Sequence, residues 1–279
     1  STQLLRQETP FPINIKNLYV NKPSGQFNFN DSLTIDGEFF FERGQIYGAN
    51  YSLAFSQNGK AINASKQSHV IGAVSKVGLS DFIFPLGDSV DYFPIGISDG
   101  TNTSERLKIR YVPEFYTIPE TLKDLLGLAS INNQAYWEVE KTSVNQAVNY
   151  LLFWDSTKAY VPPRIDDLTA VAISDNSFVN LFASNKTGNR AAGQLKSLSD
   201  FSKNGKLFLA QNYVERLFEI ALDSFSIKQV DSVHVQLSWL HVNTNLDSAY
   251  IVQKLDSAGV YKALDTIPAG TGLTAYRYT

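Results

Sequence analysis

From residue 11 to about residue 71, apolar side chains fall at every second position in short runs. Ile13, Ile15, Phe27, Phe29, Leu33, Ile35, Phe39, Phe41, Leu53 and Phe55 carry the pattern. A period of two is that of β-strands, which send alternate side chains to one face. The runs are separated by turn-forming clusters, "NKPSG", "NFNDS", "DGE", "ERG" and "QNGK", whose Gly, Asn, Asp and Pro favour reversals of the chain. Strands about five residues long are expected, at a spacing close to that of stacked rungs. Residues 1–80 are therefore read as a short β-solenoid-like region, which buries its apolar face by stacking each strand on its neighbour and needs a cap at its end.

Beyond residue 80 the period stays at two. Aromatic-rich strands run through residues 82–112 and include "RLKIRYV". Residues 119–128, "PETLKDLLGL", are the exception and predict a helix. Pro119 suits a first turn, Leu122, Leu125 and Leu126 share a face, and Gly127 closes it. Strands at 135–139, 148–154, 168–173, 178–183 and 206–210 then complete a β-sandwich over residues 81–222. From residue 223, Val233, Val235, Leu237 and Trp239 alternate with Ser232, His234, Gln236 and Ser238. A hairpin over 248–264 and a strand in "LTAYRYT" follow. Residues 223–279 are fewer than the roughly 100 of an immunoglobulin-like sandwich, so this third unit is read as an incomplete fibronectin type III-like module. The fold expected is all-β throughout.

The composition excludes several classes of function. Lys and Arg number 24 against 27 Asp and Glu, a net charge of −3 without a basic cluster. This argues against nucleic acid as a partner. No apolar run approaches the ~20 residues of a membrane-spanning helix. The absence of cysteine removes disulfides, thiolate metal sites and cysteine nucleophiles together. Residues 1–10 lack the shape of a signal peptide and begin without Met, which reads as a mature or excised N-terminus.

The tests for chemistry favour structural readings. Gly96-Ile97-Ser98-Asp99-Gly100 spells G-x-S-x-G, but a nucleophile elbow needs a helix after the serine. Here a polar stretch and a strand follow, so a turn is expected and Ser98 is not a nucleophile candidate. His69, His234 and His241 show no metal-ligand spacing. Glu138 and Glu140 lie two apart on one strand face, roughly 6–7 Å, which an outward strand face also produces. Asp155 with Asp166 or Asp167 is a further carboxylate pair. Hard oxygen donors for calcium occur at Asp99, Asn102 and Glu105 in "SDGTNTSE", and at Asp166 and Asp167. Neither loop follows the calcium-loop pattern, and solvated turns are the simpler reading. Trp137, Trp154 and Trp239 each sit in an apolar strand, where core packing accounts for them. Glycan stacking on exposed aromatics is the alternative. No catalytic residue or organic cofactor is assigned, and calcium stays a possible ion.

Three stretches together resemble large exported surface proteins of Bacteroidota that leave by the type IX secretion system. "NLYVNKPSGQFNFNDSLTIDGEFFFERGQIYGANYSLAF", ending in "VIGAVSK", is similar to their strand rungs and exit. "FIFPLG…YFPIGIS", then "YWEVEKT", "LLFWDS" and "GKLFLA", resemble the sandwich that follows those rungs. "VHVQLSW…AYIVQKLDSAGVYKALDTIPA" resembles the fibronectin-like module near their C-terminal sorting signal. The family's "YYRLKQVD-x-DG" continuation and sorting domain do not follow Thr279, so an export signal is expected outside this stretch. The resemblance implies a non-enzymatic structural or adhesive protein, exported through the periplasm to the cell surface or medium, with the outer-membrane translocon as partner. Self-association by strand donation at the open last unit is a second expected partnership. A carbohydrate-binding module of a larger enzyme, or a resident translocon component, are the alternatives.

Overall fold

The structure is a computed structural model that describes residues 3–5, 13–29, 32–118, 126, 128–142, 148–155, 164–174, 177–201, 203–212, 224–231, 235–243, 249–255, 261–268 and 272–278. The chain is all-β, with no helix among the described residues. The helix expected over 119–128 lies almost wholly outside them, and Leu128 opens a strand. Two units are present, Ser1–Val214 and Glu215–Thr279.

The first unit begins with β1 (Gln3–Leu5), β2 (Ile13–Ile15), β3 (Leu18–Phe29), β4 (Leu33–Ile35), β5 (Glu38–Phe55), β6 (Lys60–Ile62) and β7 (Val70–Val77). These strands stack in parallel. Ile13, Leu33, Leu53 and Val74 form one column, and Ile15, Ile35, Phe55 and Lys76 the next. On a second side Phe27 pairs Ile46, which pairs Val70. On a third side Tyr19 pairs Phe40, which pairs Ile62. The apolar positions face inward: Leu33, Ile35, Phe39, Phe41, Ile46, Leu53 and Phe55 are fully or almost fully buried.

Strands here are longer than the alternation suggested, because corners are turned without breaking the ladder. β5 runs for 18 residues through "ERG". At Gly44 the backbone takes φ +97°, and a Cβ there would lie 2.7 Å from the Lys22 carbonyl oxygen. A glycine lets one corner sit directly on the corner below.

β7 carries the stack into the next region. It pairs parallel with β5 on one edge and antiparallel with β10 (Arg106–Val112) on the other. The remaining strands of the first unit are β8 (Phe82–Phe84), β9 (Ile95–Ser98), β11 (Leu128–Ile131), β12 (Tyr136–Lys141), β13 (Asn149–Asp155), β14 (Leu168–Ser174), β15 (Ser177–Asn180), β16 (Ala183–Gly188), β17 (Ala192–Ser197) and β18 (Gly205–Asn212). One sheet continues in the order β7-β10-β12-β18-β14-β15, and a five-stranded sheet has the order β16-β17-β13-β9-β8. Tyr150, Leu152, Trp154 and Leu195 point from the five-stranded sheet into a core shared with Val139, Ala170, Ala172 and Leu207 of the larger sheet. The same cluster takes in Phe39, Phe55 and Phe82 of the parallel stack and its cap. Residues 1–80 and the sandwich thus share both a hydrogen-bonded ladder and a core.

Tyr150 is fully buried, and its hydroxyl has no hydrogen-bond partner among the described residues. A buried hydroxyl without a partner carries its desolvation cost uncompensated. Tyr150→Phe is therefore expected to stabilise the first unit by about 1 kcal/mol, measured by denaturant unfolding. Burial also raises the Tyr150 phenol above its ordinary value and pushes Tyr92 up to about 12. With folded values above unfolded ones near 10, the neutral phenols contribute stability in full below about pH 10. That contribution is lost as the pH rises through the folded values. Alkaline unfolding is expected to begin above about pH 10, and Tyr150→Phe to move its midpoint upward.

The second unit comprises β19 (Ser224–Gln229), β20 (Val235–Asn243), β21 (Ala249–Leu255), β22 (Tyr261–Pro268) and β23 (Gly272–Tyr278). β19, β20 and β23 form an antiparallel sheet, with Phe225 opposite Trp239 and Trp239 opposite Tyr276. β21 and β22 form a separate hairpin with a bulge at Val252/Gln253.

Candidate functional site

The sandwich carries an aromatic cavity of about 610 Å³ between residues of the two sheets. Its walls include Tyr92, Phe93, Tyr111, Trp137, Phe153 and Trp154. The rings are held from behind. Phe93 stacks on Tyr111 with centroids 4.2 Å apart, and Tyr111 meets Trp137 at 5.8 Å. The Trp137 indole donates to the Phe93 carbonyl at 3.1 Å, and the Trp154 indole donates to the Asn189 carbonyl at 2.8 Å. Trp137 and Trp154 are almost completely buried, so they form the floor, and the half-buried Tyr92, Phe93, Tyr111 and Phe153 form the accessible wall. Gly193 lies against Trp154, and a Cβ there would come within 2.3 Å of that ring. The missing side chain is what leaves the cavity open on that side.

Strand register extends the site over the outer face of the five-stranded sheet. Side chains inward on β13 are Tyr150, Leu152 and Trp154, so Leu151, Phe153 and Asp155 face out. Phe153 lies opposite Gln194, and Gln194 opposite Thr187. Leu151 lies opposite Lys196, which faces Asn185. Gln194 and Thr187 also line a second cavity of about 200 Å³, with Lys196 and Asp99. The two cavities adjoin along this pair of residues.

Charges at the site are mostly engaged within the chain. Lys196 Nζ lies 2.5 Å from Asp99 Oδ2, and the Asn149 amide donates to the same oxygen at 3.0 Å. The Lys196 ammonium holds the Asp99 carboxyl below its usual range. Lys66 pairs with Asp91 at 2.7 Å, which raises its own pKa. Asp88 Oδ1 accepts from the backbone nitrogens of Val90 and Asp91. Burial pushes the Tyr111 phenol up, assisted by the charges of Asp88 and Asp91.

The three calcium candidates are each engaged separately. Asp99, at φ 64°, points to Lys196 and Asn149. Asn102 Oδ1 accepts from the backbone nitrogens of Ser104 and Glu105, which makes it the head of a turn. Glu105 is buried, accepts from the Thr142 hydroxyl at 3.4 Å, and supports the charge of Lys141. Among the described residues no group of three His, Asp or Glu side chains is placed to hold a metal ion. Asp167 pairs with Arg164 at 3.5 Å, and the Asp166 carbonyl accepts from Lys186.

Ser98 ends β9, is buried, and donates weakly to Asp99 at 3.4 Å. The chain then bends and enters β10, with no helix after the serine. His69 is fully buried, its ring nitrogens 3.0 Å and 2.8 Å from the carbonyl oxygens of Ser65 and Asp88. It ties the last rung to the "PLGD" loop. His234 lies outside the described residues, and His241 falls in β20. Glu138 and Glu140 pair across the ladder with Arg110 and Lys108. Exposed pairs of this kind contribute little, so Glu138→Gln and Glu140→Gln are each expected to change stability by less than about 1 kcal/mol in denaturant titration.

No family model, curated protein or solved structure matches the chain. The physical content of the site rests on its own geometry. It is an open aromatic wall, a glycine-lined gap, and a row of uncharged polar side chains beside it.

Proposed function

We propose that this chain is a non-catalytic, structural or adhesive part of an exported surface protein. It leaves through the type IX secretion system and acts at the cell surface or in the medium. The observation that supports this most is the shared ladder β5-β7-β10, which joins the parallel stack to the sandwich within one core. A module held away from a surface has to resist bending at its joints, and hydrogen bonds plus a common core supply that resistance. The aromatic cavity gives such a module something to bind with. In this reading the outer-membrane translocon is the export partner, and the second unit is where strand donation from another chain would occur.

Protease shaving of intact cells of the native source tests the reading. The expected result is cleavage of this chain on wild-type cells and its retention inside cells that lack the translocon. Protection of the chain on intact wild-type cells would contradict it. The second reading, a carbohydrate-binding module attached to a larger secreted enzyme, is favoured by the same cavity. The mass of the intact polypeptide separates the two, because an enzyme domain would add to it.

A further inference from the structure

We infer that the aromatic cavity lined by Tyr111 of β10 and Phe153 of β13, together with the adjoining outer face of the five-stranded sheet from Phe153 across Gln194 and Thr187 to Lys196, binds a neutral oligosaccharide; this inference rests on the reading of the chain as a binding module. A sugar ring presents an apolar face of C–H groups and a perimeter of hydroxyls. It is matched by an aromatic surface with uncharged donors and acceptors beside it. The site has that composition. Tyr111 and Phe153 supply half-buried rings. The Gln194 amide and the Thr187 hydroxyl make no side-chain hydrogen bond among the described residues. An amide offers two donors and an acceptor, and a hydroxyl both roles, which suits vicinal hydroxyls.

The charges decide against other ligands. Among the described residues lining the two cavities, the one cation is Lys196, and Asp99 engages it. Asp81, Asp99 and Asp155 line the same cavities. A phosphate or an acidic sugar would meet carboxylates without a free counter-charge. A purely apolar ligand would strand the Gln194 amide against hydrocarbon, at the cost of an unmade hydrogen bond. The face is also elongated. Phe153, Gln194 and Thr187 lie on three adjacent strands, and neighbouring strands are about 4.8 Å apart. The row therefore suits a chain of linked rings better than a single one.

The test is calorimetric titration of the intact 279-residue chain with the hexasaccharides of glucose (β-1,4), mannose, xylose and N-acetylglucosamine. Hexagalacturonate and the apolar dye anilinonaphthalene sulfonate serve as contrasts. At least one neutral hexasaccharide is expected to bind. Gln194→Leu, Thr187→Val and Phe153→Ala are each expected to weaken that binding at least about tenfold, or about 1.4 kcal/mol. Thr187 is exposed, so Thr187→Val keeps the test valid if either other variant melts early. The inference is overturned if no neutral saccharide binds. It is also overturned if binding ignores all three substitutions, or if only hexagalacturonate or the dye binds. None of these failures alters the result of shaving intact cells, which tests surface display separately.

Discussion

Replacing Phe55 by alanine is expected to destabilise the first unit by about 3–5 kcal/mol. Phe55 is completely buried in the column Ile15-Ile35-Phe55-Lys76. Its ring lies 6.4 Å from Phe39 of its own strand and 5.0 Å from Phe82 of the sandwich. Removing it loses the transfer free energy of the ring and leaves a cavity whose walls belong to two sheets. The neighbours cannot close that gap easily, because Phe82 is itself packed edge-on against Phe84 at 5.0 Å. For a unit of this size the loss corresponds to a Tm lower by roughly 10 °C. Thermal and denaturant unfolding would check it, and a loss below about 1 kcal/mol would mean that the stack and the sandwich are not packed on this ring.

Lys76→Met is expected to cost about 2–3 kcal/mol. Lys76 occupies the position where the column would otherwise continue with an apolar residue. It is 1% exposed, and its Nζ donates to the carbonyl oxygens of Ser56 at 2.6 Å, Gln57 at 2.7 Å and Val77 at 3.1 Å. Phe82 covers the ammonium at 5.4 Å. Burial lowers its pKa to about 8, which still leaves the ammonium charged at neutral pH with a proton for each carbonyl. Methionine keeps the volume and removes the donors, so the cost reads the unmet carbonyls at the end of the stack rather than a cavity. Lys76→Ala should cost more than Lys76→Met, because it adds a void. The two measured together by urea unfolding separate hydrogen bonding from packing.

The period-two alternation was enough to read the chain as all-β, since each of Leu33, Ile35, Phe39 and Phe41 could be assigned to an inner face by position alone. The parallel register was harder to see. Columns such as Ile13-Leu33-Leu53-Val74 recur at about twenty residues, but "ERG" looks like a turn that ends a strand. It is a corner at which β5 bends and keeps pairing, because Gly44 tolerates its positive φ. Local sequence also drew Asp99, Asn102 and Glu105 together as one loop of oxygen donors. Asp99 instead finds Asn149 fifty positions away and Lys196 beyond that. No local pattern encodes a partner at that distance.

The candidate site was the least legible part. Phe153, Gln194 and Thr187 meet only because β13, β17 and β16 pair in a particular register. Each alone is an ordinary strand residue. The tryptophans were the visible signal, and Trp137 and Trp154 do pack in the core as their apolar strands suggest. What sequence could have offered is the alternation within "LLFWDS". If Leu152 and Trp154 are inward, Leu151, Phe153 and Asp155 must face out.

The parallel stack and the sandwich, joined by the β5-β7-β10 ladder and a common core, are expected to open as one rigid body. Native-state hydrogen exchange tests it most directly, comparing the slowest amides of β5 with those of β13 in wild type and in Phe55→Ala. The expected result is one opening free energy for both strands, within about 1 kcal/mol, falling by the same amount in the variant. If the β5 amides lose protection while the β13 amides keep theirs, the two parts open independently and do not form a single rigid module.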